Sequence, residues 1–187
     1  MMKMFKFDKK IFLGVIIGII ISSIFFFYLL EQQRAMCLNS AQEIFSPGAK
    51  EKIINLIKEA KKSIDIQMYV LTDKDIISQL IESADRGVKI RIILEYRIES
   101  DIKKVIEALE HKNIEVRFSP SKYKLMHSKM VIIDREKVLI GSINFSKSAL
   151  ETNREVAILV GGEIIKKYLE IFESDWRDSQ ITFVKYS

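Results

Sequence analysis

The first long hydrophobic run of the chain starts at Ile11 and continues, without a charge, to Leu30. As a helix these residues rise about 30 Å, the thickness of a bilayer core. Lys3, Lys6, Lys9 and Lys10 precede the run, and Glu31-Gln32-Gln33-Arg34 follows it. No clean small-x-small cleavage site stands after it, and it is longer than the apolar stretch of a secretory signal. The pattern predicts an uncleaved transmembrane anchor over 11–30, behind a basic flank at 1–10 and ahead of a linker at 31–42. The basic flank should stay in the cytoplasm, which places residues 43–187 on the far side of a cell membrane crossed once. Gly14, Gly18 and Ser22 fall on one face of this run, a spacing that lets membrane helices approach closely.

Beyond the anchor the pattern alternates. Residues 49–62 read as an amphipathic helix entered through Ser46-Pro47, and Ile64 to Leu71 as a strand. A helix from Thr72 to Arg86, opened by a Thr-x-x-Asp pattern, leads to a strand from Val88 to Leu94. A helix over 99–111, a strand from Ile114 to Phe118, and two β-branched runs, Met130 to Ile133 and Val138 to Ile140, come next. Asp134-Arg135-Glu136-Lys137 separates those two runs as a hairpin turn. A strand over Val156 to Val160, a Gly161-Gly162 break and a helix to Trp176 complete the chain. Strands alternating with helices predict an α/β fold, with a mixed, largely parallel sheet flanked by helices.

Charge narrows the picture little. Four lysines and one aspartate give residues 1–30 a net +3, which leaves +2 of the chain's +5 for everything after them. The part able to fold is nearly balanced, so any basic groove in it must be local. Cys37 is the single cysteine, which excludes an intramolecular disulfide and is too isolated for a metal site.

The chemistry sits in the hairpin. His127, Lys129, Asp134, Gly141, Ser142 and Asn144 follow the spacing H-x-K-x4-D-x6-G-S-x-N, six defined positions within eighteen residues. Chance would meet it on the order of once in ten to the eighth start sites. On a strand, His127 and Lys129 leave the sheet on the same face, and Ser142 and Asn144 repeat that relation after the second strand. An imidazole, an ammonium, a hydroxyl and a carboxamide at one end can hold a tetrahedral oxyanion such as a phosphodiester. Gly141 allows close backbone approach.

These six residues resemble the HKD motif of the phospholipase D superfamily. Phe45-Ser46-Pro47, Ile64 to Thr72, Ala84 to Val88, Asn153 to Val156 and Phe172 to Trp176 resemble the flanking parts of that fold. Length and layout are similar to the small single-motif members, which include bacterial endonucleases and mitochondrially anchored phospholipase D-like proteins. The resemblance implies a phosphodiesterase that needs neither metal nor cofactor. It implies a homodimer whose two motifs complete one site, with His127 as nucleophile in one subunit and as general acid in the other, through a phosphohistidine. Lys129 and Asn144 would clamp the phosphate, Ser142 would add hydrogen bonds and Glu155 would hold the far ring nitrogen. Asp134 completes the motif, as a brace more than a proton carrier.

Lys122, Tyr123 and Lys124 form a basic-aromatic loop ahead of the motif, suited to binding phosphate and stacking on a base. Met68, Tyr69 and Trp176 read as core or pocket wall, His111 as a helix-end surface residue, and Arg86, Lys89 and Arg91 as a solvated face. Nucleic acid is the expected substrate. Membrane phospholipid, as for a phospholipase D or transphosphatidylase, is the alternative, and a catalytically silent binding module is the third reading.

Overall fold

The structure, a computed structural model, describes residues 9–38, 41–97 and 102–180. Most of the basic flank and the last seven residues of the expected catalytic domain lie outside the described residues. The chain divides into two units, Met1–Asn39 and Ser40–Ser187.

The first unit is the helix α1 (Lys9–Leu38), which runs on through most of the stretch expected as linker. Glu, Gln, Arg, Ala and Met dominate that continuation, and all are good helix formers. Within α1, Lys10–Gln32 is long and apolar enough to cross a membrane.

The second unit consists of β1 (Gln42–Ser46), α2 (Ala49–Glu59), β2 (Ser63–Met68), α3 (Lys74–Asp85), β3 (Lys89–Leu94), α4 (Ile102–Ala108), β4 (Ile114–Phe118), β5 (Lys129–Ile133), β6 (Lys137–Gly141), α5 (Lys147–Glu151), β7 (Glu155–Gly161) and α6 (Ile165–Asp178). The short strand β1 and helix α5 have too few residues to show a period, and the sequence pattern did not predict them. The cap of α3 is Asp73, whose side chain accepts from the Asp75 and Ile76 amides, both at 3.1 Å. Thr72 was the expected cap, but its own amide and that of Asp73 are both drawn to the Phe145 carbonyl, at 2.8 and 2.9 Å.

The seven strands form one sheet in the order β1-β7-β6-β5-β2-β3-β4. It is mixed and helix-flanked, as expected, but it is not largely parallel. Only β2–β3 and β3–β4 pair in parallel; β1–β7, β7–β6, β6–β5 and β5–β2 are antiparallel. The reason lies in the connections. Parallel neighbours need a crossover, which only α3 and α4 supply, whereas β5 reaches β6 through a tight turn and forces reversal.

One sheet face packs Ile64, Ile66, Ile90, Ile92, Val131 and Leu139 against α2, α3 and α5. The other packs Ile93, Met130, Ile132 and Val138 against Ile165, Phe172 and Trp176 of α6. Among the described residues no buried side-chain polar atom lacks a hydrogen bond.

Candidate active site

β2, β3 and β4 point their carboxyl ends the same way, and β5 starts at that end while β6 finishes there. Lys129 opens β5 opposite Met68, the last residue of β2. Gly141 closes β6 opposite Ala157 of β7. A methyl group added at Gly141 would collide with the Val156 carbonyl and with the Ala157 backbone, so glycine is what lets the two strands meet here. The Ser142 amide then donates to the Val156 carbonyl at 2.8 Å.

His127, Lys129, Ser142, Asn144 and Glu155 all lie at this end of the sheet. The His127 side chain is exposed, and Lys129 is half-buried. The Lys129 ammonium donates to the His127 carbonyl at 2.7 Å. Burial pushes the Lys129 pKa below its ordinary 10.5, and the Glu155 charge works against that shift without reversing it. Asn144 accepts from the Val70 amide at 3.3 Å, and the Phe145 amide donates to the Val70 carbonyl at 2.9 Å. These two bonds dock the second half of the motif onto the segment after β2.

Glu155 does not take the place expected for it. Its carboxylate accepts from the Ser142 hydroxyl and, on the other oxygen, from Asn153 at 3.2 Å. Among the described residues the His127 ring has no hydrogen-bonding partner. It packs instead against Tyr69, ring centroids 4.5 Å apart at 59°.

Asp134 is not with the others. It lies at the opposite end of β5, a strand of five residues away, or about 17 Å. Its carboxylate accepts from the amides of Lys61 (3.0 Å), Lys62 (2.6 Å) and Ser63 (3.0 Å). Burial pushes its pKa up, but the amides of Ser63, Lys62 and Lys61, with the Lys62 charge, outweigh burial and hold it below 3.8. Its chemistry is that of a brace.

The loop before the motif is more committed than its composition suggested. Lys122 is bound to Asp178 at 2.5 Å, and the Tyr123 hydroxyl donates to Asp175 at 2.8 Å. Asp175 is buried and also accepts from Gln67 at 2.7 Å, so this pair pins the loop to α6. Of the three residues expected to meet substrate, Lys124 is the cation left exposed without such an anchor.

Two residues at this end had no spacing signature. Glu95, fully buried just after β3, accepts from the Met126 amide at 2.8 Å, the Ser119 hydroxyl at 3.2 Å and the Arg97 guanidinium at 2.7 Å. It fixes the backbone one residue before His127. Tyr69 follows β2 in the same way. The signal available was positional: each directly follows the last residue of a strand, at the carboxyl ends where α/β sheets build their sites.

Comparison with known proteins agrees with this geometry. The family described as "Cardiolipin synthase, PLD-like domain" matches residues 53–176. A protein named Phospholipase D from Rickettsia prowazekii is 30% identical over 91% of this chain and 89% of its own. Another so named, from Rickettsia felis, is 36% identical over 67% of this chain and 64% of its own. Among solved structures, Nuc from Salmonella typhimurium, a phospholipase D family member, has a TM-score of 0.71 and 26% identity, over 78% of this chain and 99% of Nuc. NucT from Helicobacter pylori has a TM-score of 0.68 and 27% identity, over 76% of this chain and 98% of NucT. The chain belongs to the phospholipase D superfamily of phosphodiesterases.

Proposed function

We propose that this protein is a membrane-anchored, metal-independent nuclease that hydrolyses nucleic-acid phosphodiesters through a phosphohistidine. The observation that carries the reading is the open placement of His127. Its imidazole is exposed at the sheet end where Ser142 is also exposed, and Lys124, three residues before it in the chain, is exposed as well, so a long polymer can lie across it. The match to nearly the whole of the compact Nuc and NucT chains also leaves little of this domain for a separate lipid-binding element.

In this mechanism Nε2 or Nδ1 of His127 attacks phosphorus and the P–O bond to the leaving group breaks. His127 of the partner subunit protonates the departing oxygen, then removes a proton from the water that cleaves the P–N bond. The Lys129 ammonium neutralises charge on the non-bridging oxygens and the Asn144 side-chain amide adds a neutral N–H donor, while the Ser142 hydroxyl would have to turn from Glu155 to add a second. The two imidazoles must differ by one proton: one is neutral to attack phosphorus while the other carries the proton it gives to the leaving oxygen.

A homodimer supplies the second imidazole. Among the described residues α6 is the helix that covers its sheet face, and Phe45, Val156 and Ile158 on the adjoining β1–β7 edge are exposed. A contiguous apolar patch of this kind calls for a partner, and a second copy of the chain is the one that completes the chemistry. The span within α1 serves as a single-pass anchor with the catalytic domain outside the cytoplasm; a carboxy-terminal reporter active only in the cytoplasm would reverse that orientation.

The full chain in detergent, given labelled single-stranded DNA and excess EDTA, should cleave it, while His127→Ala should not. A wild-type protein that spares nucleic acid yet releases headgroup from phospholipid vesicles would make it a phospholipase D. That second reading draws on the Rickettsia proteins bearing that name and on the apolar span.

A further inference from the structure

Tyr69 holds an unusual place for a residue that composition would assign to the pocket wall. Its ring meets the His127 imidazole, centroids 4.5 Å apart. The Lys129 ammonium lies 4.9 Å from the centroid of the same ring, within cation–π distance. One side chain therefore touches both His127 and Lys129.

The backbone explains why the ring stays there. The Tyr69 amide donates to the Ser128 carbonyl at 3.1 Å, between those two motif residues. The next residue, Val70, is bonded on one side to the Asn144 side chain and on the other to the Phe145 amide. Tyr69 is thus clamped by both halves of the hairpin, and what it touches is fixed by what holds it.

The imidazole needs such a support. Among the described residues it has no hydrogen bond, so within one subunit nothing polar sets its ring angle. We infer that Tyr69 is the positioning residue of the site: its ring face sets the orientation of the His127 imidazole and seats the Lys129 ammonium beside it. The inference rests on His127 being the reacting group. Tyr69 does not itself touch substrate; it acts through the two residues packed on it. The ring, not the hydroxyl, is the operative part, because the face of a phenyl group carries the same negative quadrupole.

The test compares wild type, Tyr69→Phe, Tyr69→Leu and His127→Ala, all as the full chain in detergent. The chain has only two histidines, so His111 serves as the internal standard for proton NMR of the imidazoles. In the wild type, His127 ring protons should show an upfield ring-current shift and a cross-relaxation peak to Tyr69. Phe should preserve the shift and kcat. Leu should abolish the shift and lower kcat about a hundredfold, the cost of misplacing a reacting group by about 1 Å, with KM little changed. His111 signals and Tm should stay as in the wild type. If His127→Ala were still active, the reading of His127 would be wrong. If His127→Ala were dead but Tyr69→Leu kept full kcat, Tyr69 would have no positioning role. Should the Leu variant not fold, the wild-type spectrum decides alone: no shift and no cross-peak would overturn the inference.

Discussion

Lys129 keeps its charge at a cost to the fold. Burial lowers its pKa from 10.5, so the ammonium is less comfortable in the folded chain than in water. Between the lowered folded pKa and 10.5, the unfolded chain binds more protons than the folded one, and stability should rise with pH in that window. Replacing Lys129 by Met removes the penalty and keeps the side-chain volume. We expect Lys129→Met to raise Tm in a thermal melt while reducing phosphodiesterase activity to background, the trade expected of a residue kept for chemistry. The alkaline limb of the wild-type rate profile should likewise fall earlier than an ordinary lysine would dictate. His127, Lys129, Ser142 and Asn144 were legible in the chain because strand alternation and a short turn make spacing equivalent to position. Tyr69 and Glu95 were not, since their partners are set by tertiary contacts 31 residues away in the case of Glu95 and Met126. Nor did composition disclose that Lys122 and Tyr123 face two aspartates of the last helix.

At the scale of elements, the β5–β6 hairpin turns on two residues with left-handed backbone, Asp134 at φ 53° and Arg135 at φ 61°. Aspartate is among the few non-glycine residues that accept this conformation readily, and here its carboxylate gains three amide donors in return. Its depressed pKa gives a sign. The stabilisation is complete above the carboxyl's unfolded value of 3.8 and is lost as pH falls through the lower folded value. Asp134→Ala should therefore destabilise by about 1–3 kcal/mol at neutral pH, measured by urea unfolding, and the deficit should shrink toward zero in strong acid. Activity per folded molecule should survive better than in any variant of His127. The opposite element, α6, is held by related means. Glu173 binds Arg91 and Arg135 at 2.9 and 3.0 Å; the Arg91 bond leads in lowering its pKa to about 2, burial opposing and Arg135 adding to it.

At the scale of the molecule, the sequence pattern reached the layers and stopped short of the strand directions. Apolar periodicity reports which face a residue buries, and both parallel and antiparallel strands bury faces in the same way. Direction follows from the connections, and the crossovers through α3 and α4 looked the same in the sequence as the long returns elsewhere. The apolar edge at Phe45, Val156 and Ile158 is likewise a property of the assembled sheet. Introducing charge there, as Ile158→Asp, should convert the proposed dimer to monomers in light scattering and reduce specific activity at least tenfold, leaving Tm nearly unchanged. Dimers that persist with full activity would assign the patch to another contact. The brace at Asp134 has a further effect on the sheet as a whole. It ties the hairpin tip to residues 61–63 and fixes β5 so that Ile133 stands opposite Ile64 and Lys129 opposite Met68. Side chains on a strand alternate, so a slip of one residue would carry Lys129 and His127 through to the other side of the sheet. The aspartate stands a strand's length from His127 and Lys129, yet together with the buried apolar residues of β5 it holds the parity of the strand, and parity decides on which side of the sheet those two side chains emerge.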